Sequence, residues 1–308
     1  MLQIEGAILD IAVTGASGLI GTTVSTALAD EGHRVVRLAR GAGAAATDTL
    51  RWDPLAGTID AAGLEGVDAV IHLAGEGIAE RRWSDDQKRR ILESRTMGTS
   101  LLADALAHLR NPPAVMLSAS AVGWYGDRGD TVLTESSAPG TGFLSDVCSA
   151  WENATRPAEE AGVRVTHLRT GMVLSRDGGA LAKMLPLFRL GLGGPFGNGR
   201  QIWSWISIHD HVAAMLYLLG HDLRGGVNLT APHPVSSSEF AHVLGRVVHR
   251  PALLRVPKIG PSLLLGRELA TNLLYASSDV RPERLVEDGF LFDHPDLATA
   301  LRAICAAK

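Results

Sequence analysis

A glycine-rich turn reads Thr14-Gly15-Ala16-Ser17-Gly18-Leu19-Ile20-Gly21. It directly follows a short apolar run and opens a helical pattern from Leu19 to Asp30. At this spacing Gly15 permits a tight turn, Gly18 lets a phosphate approach the backbone, and Gly21 allows close helix packing. The helix N-terminus adds unpaired N–H groups and a partial positive charge. We therefore predict a dinucleotide site that includes Thr14, Gly15, Ser17, Gly18, Leu19, Ile20 and Gly21; a glycine turn without a ligand is the alternative.

The residues after the second predicted strand indicate which nicotinamide cofactor is bound. An NAD site places an Asp or Glu about 20 residues beyond the turn, where it hydrogen-bonds the ribose hydroxyl. Here the chain reads Arg37-Leu38-Ala39-Arg40, without an acid. The Arg40 guanidinium can pair with a 2′-phosphate through its planar fork, although such an arginine is often merely solvated. The sequence favours NADP(H) over NAD(H).

Alternating apolar and helical patterns predict the fold class. Short β-rich runs separated by longer helical patterns are typical of βαβ crossovers and a parallel sheet. We predict an α/β protein with a doubly wound parallel (Rossmann) sheet over 10–225, to whose pocket residues 175–210 contribute. A smaller, mainly helical portion follows over 226–308. Helices are expected over 145–160, 236–249, 262–274 and 295–303, a loop at Gly41 to Ala46, and an extra strand or an added segment at Leu2 to Ala7.

Composition excludes several classes of protein. The 308 residues are 46% hydrophobic and 20% charged, which fits a globular chain and not a disordered one. With 29 Lys and Arg against 33 Asp and Glu, the net charge of −4 argues against a nucleic acid or an anionic membrane as partner. The two cysteines, Cys148 and Cys305, form no disulfide or zinc framework. An acidic start and the lack of a long apolar run lead us to expect a soluble cytoplasmic protein.

Motifs at the strand ends resemble a known superfamily. The glycine turn, together with Asp53, His72-Leu73-Ala74-Gly75 and Ser118-Ala119-Ser120, is similar to the extended short-chain dehydrogenases/reductases. Further motifs narrow the resemblance to the atypical, epimerase-family branch with its own C-terminal helical segment. They are Arg51-Trp52-Asp53-Pro54, the run from Leu73 to Ala79 with Arg82-Trp83-Ser84, Gly123-Trp124-Tyr125-Gly126, Leu192 to Pro195, Gly199-Arg200-Gln201 with Ser204-Trp205-Ile206, Arg255-Val256-Pro257 and Val280-Arg281-Pro282.

The resemblance implies roles for particular residues. Asp53 would meet the adenine, Ala74 and Gly75 would line the cofactor, and Ser120 would stand near the nicotinamide. The predicted cofactor site is completed by Trp52, Leu73 and Ser118.

The acid-base pair of the superfamily is missing. Active members use a Tyr and, four residues later, a Lys that lowers the phenol pKa. Here that place reads Cys148-Ser149-Ala150-Trp151-Glu152, and Glu152 would raise the pKa of a neighbouring acid. Cys148 is more often a small hydrophobe than a nucleophile. Tyr125 either reaches the pocket as a substitute acid or packs beside Trp124 with its hydroxyl hydrogen-bonded. The catalytic candidates are therefore Ser120, Tyr125 and Cys148.

A crevice at the carboxyl ends of the strands is the expected substrate site. Its predicted lining consists of Trp83, Lys183, Arg200 and Trp205, where Lys183 and Arg200 either anchor an anionic substrate or are surface charges. His209-Asp210-His211 resembles a metal cluster, but Asp210 is a natural N-cap and two histidines are too few ligands, so we predict no metal. No Gly-x-Ser-x-Gly elbow supports a hydrolase.

These residues lead to two functional hypotheses. The first is an NADP(H)-dependent oxidoreductase or epimerase-like enzyme that acts by hydride transfer on a small polar substrate, with Ser120 polarising a carbonyl. The second is a regulatory or interaction protein that binds NADP(H) and has lost turnover. A monomer or a homodimer is expected in either case.

Overall fold

The computed structural model describes residues 8–40 and 48–306. The predicted segment Leu2 to Ala7 and the predicted loop Gly41 to Ala46 lie outside these ranges. The strands are β1 Asp10–Thr14, β2 Arg34–Ala39, β3 Thr49–Asp53, β4 Thr58–Ile59, β5 Ala69–His72, β6 Val115–Ala121, β7 Val132–Leu133, β8 Arg164–Thr170, β9 Met172–Leu174, β10 Ile202–Trp203, β11 Trp205–Ser207, β12 Gly225–Leu229, β13 Val235–Ser236 and β14 Asp279–Val280. The α-helices are α1 Leu19–Asp30, α2 Asp85–Ala107, α3 Phe143–Asn153, α4 Arg156–Glu160, α5 Gly179–Arg189, α6 Ile208–Gly220, α7 Ser237–Val247, α8 Ile259–Leu265, α9 Arg267–Ala270, α10 Glu283–Glu287 and α11 Leu297–Ala306.

Eight strands form one large sheet in the order β12-β8-β6-β5-β1-β2-β3-β4. Every pairing in it is parallel except that of β3 with β4, which is antiparallel. The strand order reverses at β1, from which the chain winds outward in both directions. The doubly wound α/β prediction is confirmed.

Alternation along β1 shows how the sheet is covered on both faces. Ile11 and Val13 pack in one apolar cluster with α1 and α6, while Ala12 between them joins a second cluster with α2. A third cluster, centred on Trp203, Phe240 and neighbouring residues, holds α5, α7 and α11 together beyond the sheet.

The C-terminal part of the chain is interleaved with the sheet domain. The predicted boundary at 225/226 falls inside β12, whose five residues all pair with β8. Later in the chain, β14 pairs with β7. These pairings make β12 part of the large sheet and join residues 279–280 to the first half of the chain.

Two predicted helices are broken in the structure. The helix expected over 145–160 divides into α3 and α4, and Pro157 lies in the first turn of α4, where proline is tolerated. The helix expected over 262–274 becomes α8, α9 and a π-helical turn at Thr271–Tyr275. Gly266, with φ of +89°, interrupts it. In residues 8–40 and 48–306, no helix combines the length and the apolar character needed to cross a membrane.

Candidate functional site

The glycine turn connects β1 to α1 as predicted, and two of its glycines are required by the backbone itself. Gly15 has φ of +69°, and a Cβ there would lie 2.9 Å from the carbonyl carbon of Leu73. A Cβ on Gly21 would overlap the Gly15 carbonyl oxygen. These two positions therefore exclude side chains whether or not a ligand is bound.

Gly18 differs from both, because the fold leaves space around it. It is exposed, and a Cβ there would meet only the Gly15 carbonyl oxygen, at 3.4 Å. Gly18 is also the N-cap of α1, which has no side-chain cap and no acid in its first turn. The first N–H groups of a helix have no intrahelical acceptor, so those of Leu19 and Ile20 suit an anion. A side chain at Gly18 would fill this cradle, which therefore fits a pyrophosphate.

A buried hydrogen-bond chain fixes the strand ends beside the turn. Thr14 Oγ1 accepts from the N–H groups of Leu73 (3.1 Å) and Ala74 (3.2 Å). Its own proton therefore goes to His72 Nδ1, at 2.7 Å, and His72 Nε2 donates to Thr99 Oγ1 at 2.9 Å. Burial lowers the pKa of His72 to about 4, which keeps the imidazole neutral in this role. These hydrogen bonds hold the main chain of Leu73 and Ala74 beside the glycine turn.

The other predicted cofactor residues are placed unequally. Arg40 is exposed at the end of β2 and Gly75 is exposed beyond β5. Asp53 is half-buried, and its Oδ1 accepts from the N–H groups of Leu55 and Ala56, so one carboxylate oxygen closes a turn. Ser118 is fully buried, and its hydroxyl finds no partner among the described residues.

Trp52 requires a correction. Its ring packs edge-on against His72, with the centroids 5.9 Å apart, and lies close to Gly98 of α2. Only 4% of the Trp52 surface is exposed, so Trp52 is a core residue that supports the strand end at His72. The side chain itself has little surface left for a cofactor.

Ser120 belongs to a buried ionic cluster at the end of β6. Its hydroxyl donates to Glu152 Oε1 at 2.7 Å. Arg169 on β8 donates to the same carboxylate through Nε and Nη2, both at 2.9 Å. Ser120, Glu152 and Arg169 are 4%, 7% and 5% exposed, so the two charges are balanced within the protein. The ionic cluster, by which we mean these three residues, occupies the place of the missing Tyr/Lys chemistry.

Tyr125 also requires a correction, because it is fully buried and supports the ionic cluster. Its hydroxyl donates to Asn228 Oδ1 at 2.7 Å and accepts from Arg169 Nη1 at 3.1 Å. Burial raises its pKa. The Arg169 guanidinium also lies 3.9 Å from the ring centroid of Trp124. The phenol therefore holds Arg169 and does not reach into a pocket; of the two sequence interpretations, the packed, hydrogen-bonded tyrosine is the one seen.

Cys148 lies beside the ionic cluster as a neutral thiol. Burial, assisted by the charge of Glu152, raises its pKa to about 11, which the nearby Arg95 only partly opposes. The sulfur is 3.7 Å from the Ala121 carbonyl oxygen, and a Cβ on Gly123 would lie 3.5 Å from it. A thiol with this pKa is a poor nucleophile at neutral pH. The geometry matches the small-hydrophobe interpretation.

The predicted substrate residues differ in their exposure and contacts. Lys183 and Arg200 are exposed, on α5 and in the turn before β10. Trp83 is half-buried, donates to the Ile78 carbonyl oxygen at 2.9 Å and packs edge-on against Phe143. Trp205 is fully buried and donates to the His233 carbonyl oxygen at 3.1 Å. The prediction for Trp205 is corrected accordingly, because this indole belongs to the core.

The His209-Asp210-His211 segment begins α6, whose N-cap is Ser207 and not Asp210 as expected. Asp210 is buried and accepts from the N–H groups of Asp293 (3.0 Å) and His294 (3.1 Å). His209 contacts the Asp293 carboxylate at 2.6 Å. Asp210 therefore ties a loop near the C-terminus to α6.

Sequence reasoning missed the pairing of Glu152 with Arg169. The available signal was Arg169 itself, a charged residue within a strand of the buried sheet. A buried guanidinium requires an acid partner, and Glu152 stands four residues after Cys148, at the place of the missing Lys. Their separation of 17 positions in the sequence concealed the contact.

Three features define a dinucleotide-binding protein of the short-chain dehydrogenase/reductase type. They are the doubly wound sheet, the glycine turn at the end of β1, and the ionic cluster that replaces the usual Tyr/Lys pair. The chain belongs to the NAD dependent epimerase/dehydratase family, whose model matches residues 11–229. A second model, a domain of unknown function (DUF1731), matches residues 256–304. The resemblance found in the sequence is confirmed, and the first match ends at the last residue of β12.

Relatives and solved structures agree with this assignment. "Epimerase family protein Mb2239" of Mycobacterium bovis is 42% identical over 292 residues, which are 94% of this chain and 96% of that protein. A crystal structure of the human epimerase family protein SDR39U1 (isoform 2) with NADPH aligns with a TM-score of 0.89 at 33% identity, covering 97% of this chain and 99% of that one. A nucleoside-diphosphate sugar epimerase structure from Corynebacterium glutamicum aligns at 0.78 with 36% identity, covering 96% and 58%.

Proposed function

We propose that this protein binds NADP(H) and transfers hydride to or from a small polar substrate that binds next to Ser120, at the end of β6. The observation that carries the proposal is the Ser120 hydroxyl, 2.7 Å from a buried carboxylate, at the end of β6. Cofactor binding is supported by the Gly18 cradle and by Arg40 at the end of β2, where an NAD site has an acid. The NADPH present in the human relative's structure supports the same cofactor.

The ionic cluster gives Ser120 a partner for proton transfer. Bound NADP(H) supplies or accepts the hydride. When a substrate hydroxyl is oxidised, Ser120 Oγ accepts its proton and passes its own proton to Glu152 Oε1; in carbonyl reduction both protons move the other way. Arg169 holds the carboxylate through two hydrogen bonds and keeps one oxygen directed at the serine.

The same contacts argue against Tyr125 as the proton donor. Its proton is donated to Asn228 Oδ1, and burial raises its pKa. Cys148 is also a poor proton donor, because burial and the charge of Glu152 raise its pKa to about 11. The proposed acid is therefore Ser120, acting with Glu152.

The second candidate is an NADP(H)-binding regulatory or interaction protein. It is favoured by one observation: the Ser120 proton is already engaged by Glu152, and all three members of the ionic cluster are buried. A cluster closed in this way is also what a purely structural ion pair looks like.

Kinetics separates the two candidates. NADPH oxidation is measured by absorbance with a panel of carbonyl compounds for the native protein and for Ser120→Ala, Glu152→Gln, Tyr125→Phe and Cys148→Ala. Loss of an acid-base group costs on the order of 10² to 10⁴ in rate, so Ser120→Ala and Glu152→Gln should fall by at least about tenfold with unchanged NADPH affinity. Cys148→Ala should change little. Tight NADPH binding without turnover on any compound favours the regulatory candidate, and a large loss in Cys148→Ala alone contradicts the assignment of Ser120.

Cofactor preference is tested by calorimetry with NADPH and NADH. Arg40→Ala should reduce the preference for NADPH by about tenfold or more, because a hydrogen bond to a charged group contributes about 1.5 to 3 kcal/mol. Arg37→Ala, exposed three residues earlier on the same strand, is the matched control. Equal affinities of the native protein for the two cofactors would show that Arg40 has no such role.

A further inference from the structure

Two segments of the chain contain no acidic residue. Neither 178–209 nor 240–267 has an Asp or a Glu, although the whole chain has 33. Within them lie eight cations: Lys183, Arg189, Arg200, Arg246, Arg250, Arg255, Lys258 and Arg267. The net charge of −4 therefore conceals a local excess of positive charge.

The fold brings these two segments together. The Val256 N–H donates to the Pro195 carbonyl oxygen, and the Gly197 N–H donates to the Val256 carbonyl oxygen, both at 2.9 Å. Arg250 Nε donates to the Arg189 carbonyl oxygen at 3.1 Å. The acid-free segments thus lie side by side and form a common surface.

Large apolar side chains are concentrated on the same segments. Among the described residues, fourteen large hydrophobic side chains are exposed, and eight of them lie here. Helix α8, with the sequence Ile-Gly-Pro-Ser-Leu-Leu-Leu, has no buried residue at all. We call the eight side chains the apolar ledge: Leu187, Leu190, Leu192, Leu253, Leu254, Ile259, Leu263 and Leu264.

The cations around the apolar ledge are available to a partner. All eight are exposed, and none takes part in an ion pair within the described ranges of the chain. Exposed aliphatic side chains on the same acid-free segments as unpaired Lys and Arg are typical of surfaces that enter the headgroup region of a membrane.

We propose that the apolar ledge docks on the surface of an anionic phospholipid bilayer, with the leucines among the acyl chains and the cations against the phosphates. Charge complementarity selects this occupant. A second copy related by a two-fold axis would place Lys and Arg against Lys and Arg. Protein interfaces are enriched in Tyr and Trp, whereas the apolar ledge consists of Leu and Ile only.

The docked surface would adjoin the candidate site. Arg82 donates to the main-chain carbonyl oxygens of Leu263 and Leu264, and Lys88 pairs with Glu268 at 2.5 Å. These contacts connect α8 and α9 to the loop that carries Trp83 and to the start of α2. The proposal does not depend on turnover and holds for either candidate function.

Vesicle flotation tests the proposal with the full chain. Native protein should float with vesicles of phosphatidylcholine and phosphatidylglycerol and remain unbound with phosphatidylcholine alone. The double variants Leu263→Ser with Leu264→Ser and Arg255→Glu with Lys258→Glu should each bind at least about tenfold more weakly, since each Lys or Arg near an anionic surface contributes about 1 kcal/mol. Leu55→Ser with Leu291→Ser, exposed elsewhere at 77% and 86%, and Arg110→Glu are matched controls that should float normally.

Three results would overturn the proposal. One is a native protein that does not bind anionic vesicles, or that binds neutral vesicles equally well. Another is equal flotation of the ledge variants and the controls, after circular dichroism has shown that all of them are folded. The third is a dimer, seen by sedimentation, that the ledge variants dissociate while vesicles are not bound; the occupant would then be a second copy.

Discussion

The phosphate turn and the ionic cluster are built in opposite ways. The turn uses backbone N–H groups and the absence of side chains, within the consecutive residues 14–21. The ionic cluster uses side chains from β6, α3 and β8, which lie far apart in the sequence. A site made of backbone is recognisable from spacing, whereas a site made of side chains depends on which distant residues the fold pairs.

The largest expected effect comes from removing one charge of the ionic cluster. Arg169→Leu leaves Glu152 buried without its partner, which should lower the free energy of unfolding by about 3 to 5 kcal/mol. Urea denaturation measures the loss. Adding Glu152→Gln to the same chain should recover part of it, because the isolated charge is then gone.

A surface pair provides the control for this comparison. Arg156 and Glu160 form an ion pair with side chains 77% and 63% exposed. Arg156→Leu should lower the free energy of unfolding far less than Arg169→Leu does, because water screens an exposed ion pair. If Arg156→Leu and Arg169→Leu lower the free energy of unfolding equally, burial is not the reason why loss of Arg169 destabilises the protein.

The second prediction distinguishes two glycines of the turn. Gly18→Val should leave the fold intact and weaken NADPH binding by at least about 100-fold, since two lost hydrogen bonds to a charged group correspond to about 3 kcal/mol or more. Gly21→Val should destabilise the protein, because its Cβ overlaps the Gly15 carbonyl oxygen. Calorimetry and thermal unfolding report the two effects separately. A folded Gly18→Val protein with native affinity would disprove the phosphate cradle.

The smallest predicted effect is a pH dependence that originates at His72. The unfolded chain protonates this residue below about pH 6.5, whereas the folded protein keeps it neutral down to about pH 4. Between these pH values the unfolded state binds more protons at His72 than the folded state does. The contribution of His72 to the free energy of unfolding is therefore fully present above pH 6.5 and decreases as the pH drops towards 4. From pH 7.5 to 5.5, His72 should account for a loss on the order of 1 kcal/mol.

Urea denaturation of native protein and His72→Gln at both pH values measures this contribution. Glutamine retains a donor and an acceptor for Thr99 and Thr14 but does not titrate. The decrease in stability should therefore be smaller in the variant by the stated amount. An identical decrease in the two proteins would mean that another group is responsible.

Local patterns predicted much of the fold. Helix α1 begins and ends at the predicted residues, and the βαβ alternation predicted the large sheet. The prediction of an N-cap at Asp210 failed because Ser207, three residues earlier, is an equally good cap and takes the position. Local sequence does not show which of two possible N-cap residues caps the helix. Here the choice depends on a distant contact, because the Asp210 carboxylate accepts hydrogen bonds from the loop at 293–294.

The candidate site was predicted less completely than the fold. The glycine turn lies between β1 and α1 at the predicted residues. Trp205 was expected to line the substrate crevice, and for Tyr125 both a pocket position and a packed, hydrogen-bonded position were open; both residues are fully buried. An aromatic residue with one polar atom fits either environment, and its partner decides which is realised. For Tyr125 that partner is Asn228, more than 100 residues later in the chain.

The pairing of β7 with β14 has a consequence for how the molecule is made. Leu133 pairs with Val280, and Asn228 Nδ2 donates to the Arg281 carbonyl oxygen. The residues around Tyr125 therefore reach their final contacts only after Val280 and Arg281 have been synthesised. On the ribosome, the phosphate turn has all its residues early, whereas the surroundings of Tyr125 are completed only when residue 281 has emerged. A chain released before residue 281 would therefore contain every residue of the glycine turn but would lack the contacts that surround Tyr125.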